Sequence, residues 1–245
     1  MSDRAGQRRR GILAPTIFAI AGIAVLLGLA KWQLDRRIWK EDLIATLTAR
    51  ITAAPQTLPP REQWPQLDAV KNEYSHVTFS AEFSGDQDAL VYTAGSAFRP
   101  DVTGAGYWVF TPARLAGGGV VVVNRGFVPF ERKDLAKAGQ GKVDIVGVMR
   151  WPEERGTFTP NGEPQKNVWY VRDQRAIAAA KHWGDVAPFY VEQESPQVAG
   201  GWPRVGKLAV ALPDNHLQYA ITWLLLAIGL AGVYLFWLFG SWRRA

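Results

Sequence analysis

The chain has 245 residues, enough for one or two domains, and its composition excludes several classes of protein. It contains no cysteine, which excludes a disulfide framework and a thiolate metal site, and its two methionines are too few for a copper carrier that uses soft ligands. The net charge is +6, but residues 31–216 hold 22 Lys and Arg against 21 Asp and Glu, so the excess lies in two basic tails. A near-neutral middle with basic ends is typical of a membrane protein and argues against a nucleic-acid binder.

Two uncharged apolar segments, residues 12–30 and 217–242, explain the basic ends. About 20 apolar residues span the hydrocarbon core as a helix, so we predict transmembrane helices over residues 12–30 and 217–239, with tails at residues 1–11 and 240–245. A cleaved signal peptide is the alternative for the first segment, because Gly28-Leu29-Ala30 offers a small-x-small pattern. The segment is longer than a usual signal h-region, which favours an uncleaved anchor.

The orientation of the two spans is indicated only by charge. Two spans place both termini on one side of the membrane, and the basic tails favour the cytoplasm, with residues 31–216 outside. Lys31, Arg36, Arg37 and Lys40 follow the first span closely and weaken this inference.

Small residues four apart occur in both spans. Ala24 with Gly28, and Ala227 with Ala231, have the spacing that lets two membrane helices pack closely. The alternative is that alanine and glycine are simply common in membrane helices, and the sequence does not choose between the two.

Between the spans, residues 31–216 are predicted to form one β-rich domain with short helices. Trp32, Arg36, Trp39 and Leu43 recur at helical spacing, so residues 31–50 are predicted to continue the first helix out of the membrane. Four prolines predict a stiff, extended linker over residues 53–65. Residues 70–212 hold the strands, which are predicted at 77–83, 89–93, 107–111, 120–127, 143–149, 168–171 and 189–192. The predicted fold class is an α+β membrane protein, with two transmembrane helices flanking one mainly antiparallel β domain.

Three local signals divide this domain further. Gly117-Gly118-Gly119 predicts the turn of one hairpin, and Asn161-Gly162 predicts another between residues 157–159 and 168–171. Asp173 is typical of a helix N-cap, which predicts a helix through His182 that ends at Gly184.

The sequence gives no positive case for an enzyme. It contains no G-x-S-x-G elbow, P-loop, G-x-G-x-x-G or H-E-x-x-H motif. His76 and His182 are isolated, and such histidines are more often structural than catalytic. The glycine run at 117–119 joins two predicted strands, so it is a turn and not a phosphate-binding loop.

His216 differs from the other two histidines because it stands where the second span begins, after Asp214-Asn215. Neutral imidazole is a good ligand for haem iron, and the membrane surface suits a cofactor with an apolar macrocycle and two carboxylates. The alternative is that the polar cluster only caps the helix. Tyr219 lies near the same helical face, where it could orient the ligand or serve as an interfacial aromatic.

The end of the first span should lie at the same depth as His216. It carries Trp32, Gln33, Arg36 and Arg37. A guanidinium can hold a haem propionate through two charge-assisted hydrogen bonds. The alternative is that these arginines contact only lipid phosphates.

Seven blocks of the sequence together resemble the surfeit locus one family of assembly factors for cytochrome c oxidase. They are KWQLDRRIWKEDLI, EYSHVTFSAEF, GAGYWVFTPARL, VVVVNRGFVPFERKD, GVMRWPEERGTFTPNGEPQKNVWYVRD, APFYVE and LPDNHLQYAITW. They occur in order from Lys31 to Trp223, between two apolar spans as in the family. Ala30 departs from the pattern, because the family often has glycine two residues before the tryptophan of W-Q-x-x-R.

The resemblance implies a function and a set of sites. It implies a bacterial inner-membrane protein with both termini cytoplasmic and a large periplasmic loop, which binds haem a as cargo. The histidine of N-H-L-Q-Y, here His216, is the implied iron ligand, and W-Q-x-x-R falls on Trp32, Gln33 and Arg36. Cytochrome c oxidase subunit I, haem a synthase and membrane lipid are the expected partners.

Two functions stay open at this point. The first is a non-enzymatic factor that binds haem a and assists its insertion into subunit I. The second is a haem-free scaffold that stabilises an oxidase assembly intermediate, with His216 as a cap or partner contact.

Overall fold

The computed structural model describes residues 2–85, 88–96, 98–136, 139–210 and 213–243 of the chain. Residue contacts divide the chain into a helical unit, Met1–Ala45 with Leu212–Ala245, and a sheet unit, Thr46–Ala211. The α-helices are α1 (Ser2–Thr52), α2 (Ala69–Asn72), α3 (Gln174–Lys181) and α4 (His216–Arg243). The strands are β1 (Gln56–Thr57), β2 (His76–Ser84), β3 (Ala89–Thr93), β4 (Gly106–Leu115), β5 (Val120–Pro129), β6 (Gln140–Arg150), β7 (Val168–Trp169) and β8 (Val186–Ser195). Short 3₁₀ helices occupy Arg61–Gln66, Phe130–Leu135 and Pro164–Lys166.

The helical unit is formed by α1 and α4. Each contains a segment that is long and apolar enough to cross a membrane: Ile12–Thr52 in α1 and His216–Arg243 in α4. Many of their large apolar side chains face outward, among them Phe18 at 77% and Phe236 at 83% exposure. Such a surface is costly in water and favourable in hydrocarbon. The two helices therefore fit a membrane protein, as predicted. The helix α1 begins at Ser2, so it starts within the segment predicted as a tail and includes residues 31–50 as expected.

Small residues form the seam between α1 and α4, but they are only partly the ones predicted. Ala19 and Ala30 of α1 and Ala227 of α4 are buried. A Cβ added at Gly22 would lie 2.9 Å from Leu230 Cδ2, so the helices approach closely there. Of the two alternatives left open for Ala24 and Gly28, the structure favours the one without packing: both are exposed, because they lie on the outer face of α1.

The sheet unit is a small barrel that closes through β2. The strand β2 pairs antiparallel with β6 along its whole length, and residues 81–83 at its end also pair with β4. The order β2-β6-β8-β5-β4 therefore returns to β2 and forms a ring of five strands. Outside the ring, β3 continues from β4 with β7 beyond it, and β1 lies beside the start of β2.

The sheet is mixed and not purely antiparallel. The pairs β1–β2, β3–β7 and β5–β8 are parallel, and the other five described pairs are antiparallel. The hairpin predicted at Gly117-Gly118-Gly119 is confirmed, since it joins β4 to β5 with positive φ at Gly118 and Gly119. The sheet unit is thus the strand-rich domain with few helices that the sequence predicted.

Apolar side chains fill the barrel and one end of it is closed by the segment before β2. Phe189, Val191 and Ile145 belong to the interior cluster. Trp64, in the 3₁₀ helix Arg61–Gln66, packs edge-on against Phe189 with ring centroids 5.8 Å apart. The prediction of an extended linker over residues 53–65 was therefore wrong in part: the prolines shape a strand and a 3₁₀ turn, and burial of Leu58 and Trp64 fixes this segment to the core.

A second layer covers the outer face of β4, β5 and β8. The helix α3 packs there through Ile177 and Ala178, against a cluster that includes Trp108 and Phe110. Asp173 caps α3 as predicted, accepting hydrogen bonds from the backbone N–H groups of residues 175 and 176. The helix ends at Lys181, with His182 in the left-handed conformation at the C-cap.

The second predicted hairpin was wrong. Residues 157–159 form no strand, and Asn161-Gly162 is not a two-residue turn. Glu163 makes an isolated bridge with Val168, and β7 pairs instead with β3, in parallel. The last strand is also longer than the predicted 189–192, because both of its neighbours, β5 and β6, extend the pairing.

A network of paired charges, buried at Arg150 and Glu192, lies on the outer face of β6 and β8. Arg150 and Arg172 both contact Glu192 Oε1, at 3.2 and 3.3 Å, and Arg172 also binds Glu153 at 2.5 Å. Burial opposes ionisation of Glu153, but the hydrogen bond and charge of Arg172 outweigh it and lower the pKa of that carboxyl. The pairing of each arginine offsets the cost of burying its charge.

Replacing Trp64 by alanine should destabilise the protein by about 3 kcal/mol or more, because it opens a cavity at the closed end of the barrel. Urea unfolding of the detergent-solubilised full chain measures the loss. Val70→Ala is the control, since Val70 is 83% exposed and should change the free energy of unfolding by about 0.5 kcal/mol or less. A loss below about 1 kcal/mol for Trp64→Ala would contradict a core role for this segment.

Acid should remove the contribution of Glu153. Because its pKa is lowered by folding, its ionised form stabilises the protein above the unfolded carboxyl pKa of about 4.3, and this contribution is lost as the pH falls through the folded value. The melting temperature of Glu153→Gln should lie below that of wild type at pH 7, and the gap should narrow below about pH 4. A gap that stays constant from pH 7 to pH 3 would show that the carboxyl charge contributes nothing.

Candidate functional site at the start of the second long helix

His216 is the first residue of α4, and its backbone is capped by a neighbour. Asp214 Oδ1 accepts a hydrogen bond from the His216 backbone N–H at 2.9 Å, and the Asn215 carbonyl accepts one from the Tyr219 N–H at 3.1 Å. Asp214 therefore satisfies a free backbone N–H at the start of α4, which agrees with the capping alternative that the sequence left open for this cluster. The imidazole of His216 is not needed for capping.

The imidazole instead bonds to Gln33 of α1. His216 Nδ1 lies 2.7 Å from Gln33 Oε1, and Gln33 is only 8% exposed. An amide oxygen is an acceptor, so Nδ1 carries the proton and the neutral ring keeps its lone pair on Nε2. A histidine that ligates a metal commonly donates its second ring N–H to such an acceptor, which fixes both tautomer and orientation. The pair thus leaves the Nε2 lone pair unused by Gln33, which makes Nε2 the candidate ligand atom.

Two cationic side chains of α1 follow Gln33 on the same side of the helix. Arg37 lies one turn beyond Gln33, and its Nε binds Glu41 Oε1 at 2.8 Å. Lys40 Nζ donates to the carbonyl of Pro213, three residues before His216. An exposed pair such as Arg37–Glu41 is weak and exchanges readily for another carboxylate. Lys40 therefore reaches the segment just before His216, and Arg37 lies between Gln33 and Lys40 on the same side of α1.

The structure does not gather all the predicted residues. Arg36 stacks on Trp39 with its guanidinium carbon 3.7 Å from the ring centre. Trp32 is 56% exposed and Tyr219 is 53% exposed, and neither is bonded to His216 in the described part of the chain. Of the residues proposed from the sequence, Gln33 bonds to His216, and Arg37 lies one turn beyond Gln33 on α1. The side chains of Trp32, Arg36 and Tyr219 are exposed.

Sequence reasoning missed two contacts. It did not separate the capping by Asp214 from the free imidazole of His216, and it did not include the hydrogen bond from Lys40 to the Pro213 carbonyl. A signal for the second was present: Ala19, Gln33 and Lys40 are separated by multiples of seven, which is the repeat of a helix seam. Two polar residues on that repeat at the end of an apolar span indicate a polar end to the helix pair.

The other histidines have structural contacts. His76 Nδ1 lies 2.8 Å from the Ala53 carbonyl, and Nε2 lies 3.0 Å from the buried Glu194 carboxylate. His182 terminates α3. Among the described residues no three His, Asp or Glu side chains gather as a metal site, so His216 is a candidate for a single protein ligand to a metal already held by another group.

Residues 20–228 match the SURF1 family, which is most of the chain and includes both Gln33 and His216. The chain belongs to the SURF1 family. The surfeit locus protein 1 of Rattus norvegicus is 35% identical over 217 residues, 82% of this chain and 68% of the rat protein. A SURF1-like protein of Monosiga brevicollis is 33% identical over 235 residues, 91% of this chain and 86% of its own. The human surfeit locus protein 1 is 33% identical over 214 residues, 80% and 68% of the two chains.

The contact between Gln33 and His216 joins two of the sequence blocks that resemble the family. The W-Q-x-x-R and N-H-L-Q-Y blocks lie 183 residues apart in sequence, and the bond between Gln33 and His216 joins them. Two of the seven blocks that carry the resemblance therefore meet in the structure.

Gln33→Leu should release the tautomer of His216. In wild type, nitrogen NMR of labelled histidine in detergent should show His216 protonated at Nδ1, because the Gln33 oxygen accepts that proton. In the variant the signal should move toward the mixture of tautomers of a free imidazole. The signal of His76, bonded elsewhere, is the internal control. An Nε2-protonated His216 in wild type would contradict the assignment.

Proposed function

We propose that this chain is a non-enzymatic assembly factor for haem–copper cytochrome c oxidase, which binds haem a and assists its insertion into subunit I. The family supports the assembly role. The observation that supports haem binding is the His216 imidazole at the end of an apolar helix. Gln33 holds its Nδ1, so Nε2 would be the atom that ligates iron.

The chemistry around His216 fits haem a as cargo. Imidazole nitrogen is a common axial ligand of haem iron, and the macrocycle needs apolar surroundings. The exposed apolar side chains of α1 and α4 would offer such a surface together with lipid. Arg37, with Lys40 one turn further, would hold a propionate, since the carboxylate of Glu41 now occupies the same guanidinium.

The cellular setting is part of the same proposal. Both termini would lie in the cytoplasm and the sheet unit in the periplasm, with α1 and α4 in the inner membrane of a bacterium. Subunit I and haem a synthase would be the partners, since cargo passes from the one that makes it to the one that receives it.

Co-expression with haem a synthesis tests the proposal directly. Detergent-purified wild type should show a haem a absorption band, and His216→Ala should lose or shift it. Tyr219→Phe is the matched control from the same helix and should keep the band, because Tyr219 faces outward. Arg37→Gln should weaken haem binding by about tenfold or more, the value of a charge-assisted hydrogen bond, while Arg36→Gln should change it little.

Each outcome has a clear meaning. A band that is identical in wild type and His216→Ala would place the ligand elsewhere. No haem in any form, together with recovery of subunit I by pull-down, would favour the haem-free scaffold. Failure to recover subunit I or haem a synthase, with normally haem-loaded oxidase in a deletion strain, would overturn the assembly role.

A further inference from the structure

Phe158 is an apolar side chain that the sheet unit leaves without a packing partner. It is 97% exposed, the highest value among the large apolar side chains in the described part of that unit. It belongs to none of the hydrophobic clusters that the described residues form. Single exposed apolar residues are common on protein surfaces, so the exposure gains meaning only from the structure around the ring.

The turn that carries Phe158 is braced by hydrogen bonds within it. The Thr159 backbone N–H donates to the Gly156 carbonyl at 3.1 Å, which closes a four-residue turn with Phe158 in its central part. Arg155 spans this turn: Nη2 donates to the Thr159 carbonyl at 2.7 Å and Nη1 to Asn161 Oδ1 at 2.5 Å. A turn held in one shape presents its side chain to a partner at a lower entropic cost than a mobile loop does.

A small pocket opens beside this turn. Its volume is about 160 Å³, and Arg155 and Pro160 of the same loop contribute to its lining. Trp169 and Ala176 supply apolar surface from β7 and α3. Because a cavity of about 150 Å³ can hold a benzene ring, this pocket has room for one phenyl ring.

The loop and the pocket carry charges of opposite sign. Arg155 bonds to the neutral groups named above and forms no ion pair with a described residue. Asp173 lines the pocket, where its Oδ1 caps α3, and it too has no ion pair within the described chain. Glu153, the other carboxylate of the pocket, is already paired with Arg172. A loop that enters such a pocket of another molecule would therefore bring Arg155 toward an unpaired carboxylate, which favours the correct orientation.

A ring and a pocket that adjoin on one surface fit a second copy of the same chain. In a dimer with two-fold symmetry both molecules use the same patch, so that each contact between two residues occurs twice, in opposite directions. A patch with a protruding ring next to a pocket of matching size is self-complementary under this symmetry. Each copy then supplies the ring for one contact and the pocket for the other.

We propose that this patch is a dimer interface, in which Phe158 of each copy enters the pocket beside Trp169 and Ala176 of the other. Arg155 of each copy faces Asp173 of the other. Two rings bury far less surface than a standard interface of about 1,600 Å², so the dimer is weak and depends on confinement of both copies in one membrane. The inference rests on the sheet unit and on membrane attachment, and is independent of haem binding.

Energy transfer between copies in lipid vesicles tests the dimer. The chain has no cysteine, so Ala116→Cys, in the exposed turn between β4 and β5, gives a single site for donor and acceptor dyes on the full chain. Transfer should exceed the level of random encounters and should fall as added lipid dilutes the copies. Phe158→Ala, which removes the ring, and Ala176→Trp, which fills the pocket, should each need at least tenfold more copies per lipid for the same transfer.

A mixture of the two variants is the decisive arm. Phe158→Ala keeps the pocket and Ala176→Trp keeps the ring, so a mixed dimer regains one of the two contacts, and the removed ring leaves room for the new indole. The two variants should therefore associate with each other more tightly than either does with itself. Val70→Ala, an exposed change in α2, is the control that should associate as wild type does. Because Phe158 and Ala176 are both exposed, the melting temperatures should stay close to that of wild type.

Three results would overturn the proposal. The first is that the full chain shows no transfer above random encounters at any density, which would leave the ring and the pocket to a different partner. The second is that Phe158→Ala or Ala176→Trp associates as tightly as wild type, which would place the interface elsewhere. The third is that the mixture associates no better than the separate variants, which would show that ring and pocket do not meet. The haem proposal is read from an absorption band and can fail or hold independently of these results.

Discussion

The double pairing of β2 is the constraint on which the sheet unit depends. Because its last residues bond to β4 on one side and β6 on the other, five strands close into a ring that is too narrow to leave an empty interior. Closure creates two ends, and the sequence treats them differently. Trp64 fills one with an aromatic ring, while Arg125 and Gln193 make the other polar.

In the helical unit the buried contact to the histidine is made by an uncharged side chain. Gln33 is buried and uncharged, so it orients His216 without bringing a carboxylate into an apolar helix pair, where an ion would be expensive. A carboxylate partner would also favour the protonated imidazole, which cannot ligate iron. The neutral amide therefore suits the metal-ligand role that we propose for His216.

Features set by neighbouring residues could be predicted from the sequence. The two apolar spans, the glycine turn between β4 and β5 and the Asp173 cap all depend on local composition or spacing. Closure of the barrel could not be predicted, because β5 pairs in parallel with β8 across most of the domain. Trp64 and Asn161-Gly162 were misread for the same reason: a distant partner decided the conformation of each segment.

The candidate site also combines features that the local sequence predicts with contacts that it does not. His216 was recognisable from its position before the second span, and Gln33 from its motif, but the bond between residues 183 positions apart could not be read from either. The choice between Arg36 and Arg37 depended on which face of α1 turns toward α4. In the structure Arg36 stacks on Trp39, a contact that the sequence alone does not indicate.

Ring closure has a consequence for how this protein meets other chains. A strand at the margin of an open sheet has free backbone groups that can recruit a strand from another molecule. Here the margins are β1 and β7, which have two residues each. Among the described strands, each longer one pairs with a neighbour on both sides over at least part of its length. The described sheet therefore offers little free backbone for aggregation with other chains, and recognition of a partner by this unit is left to side chains.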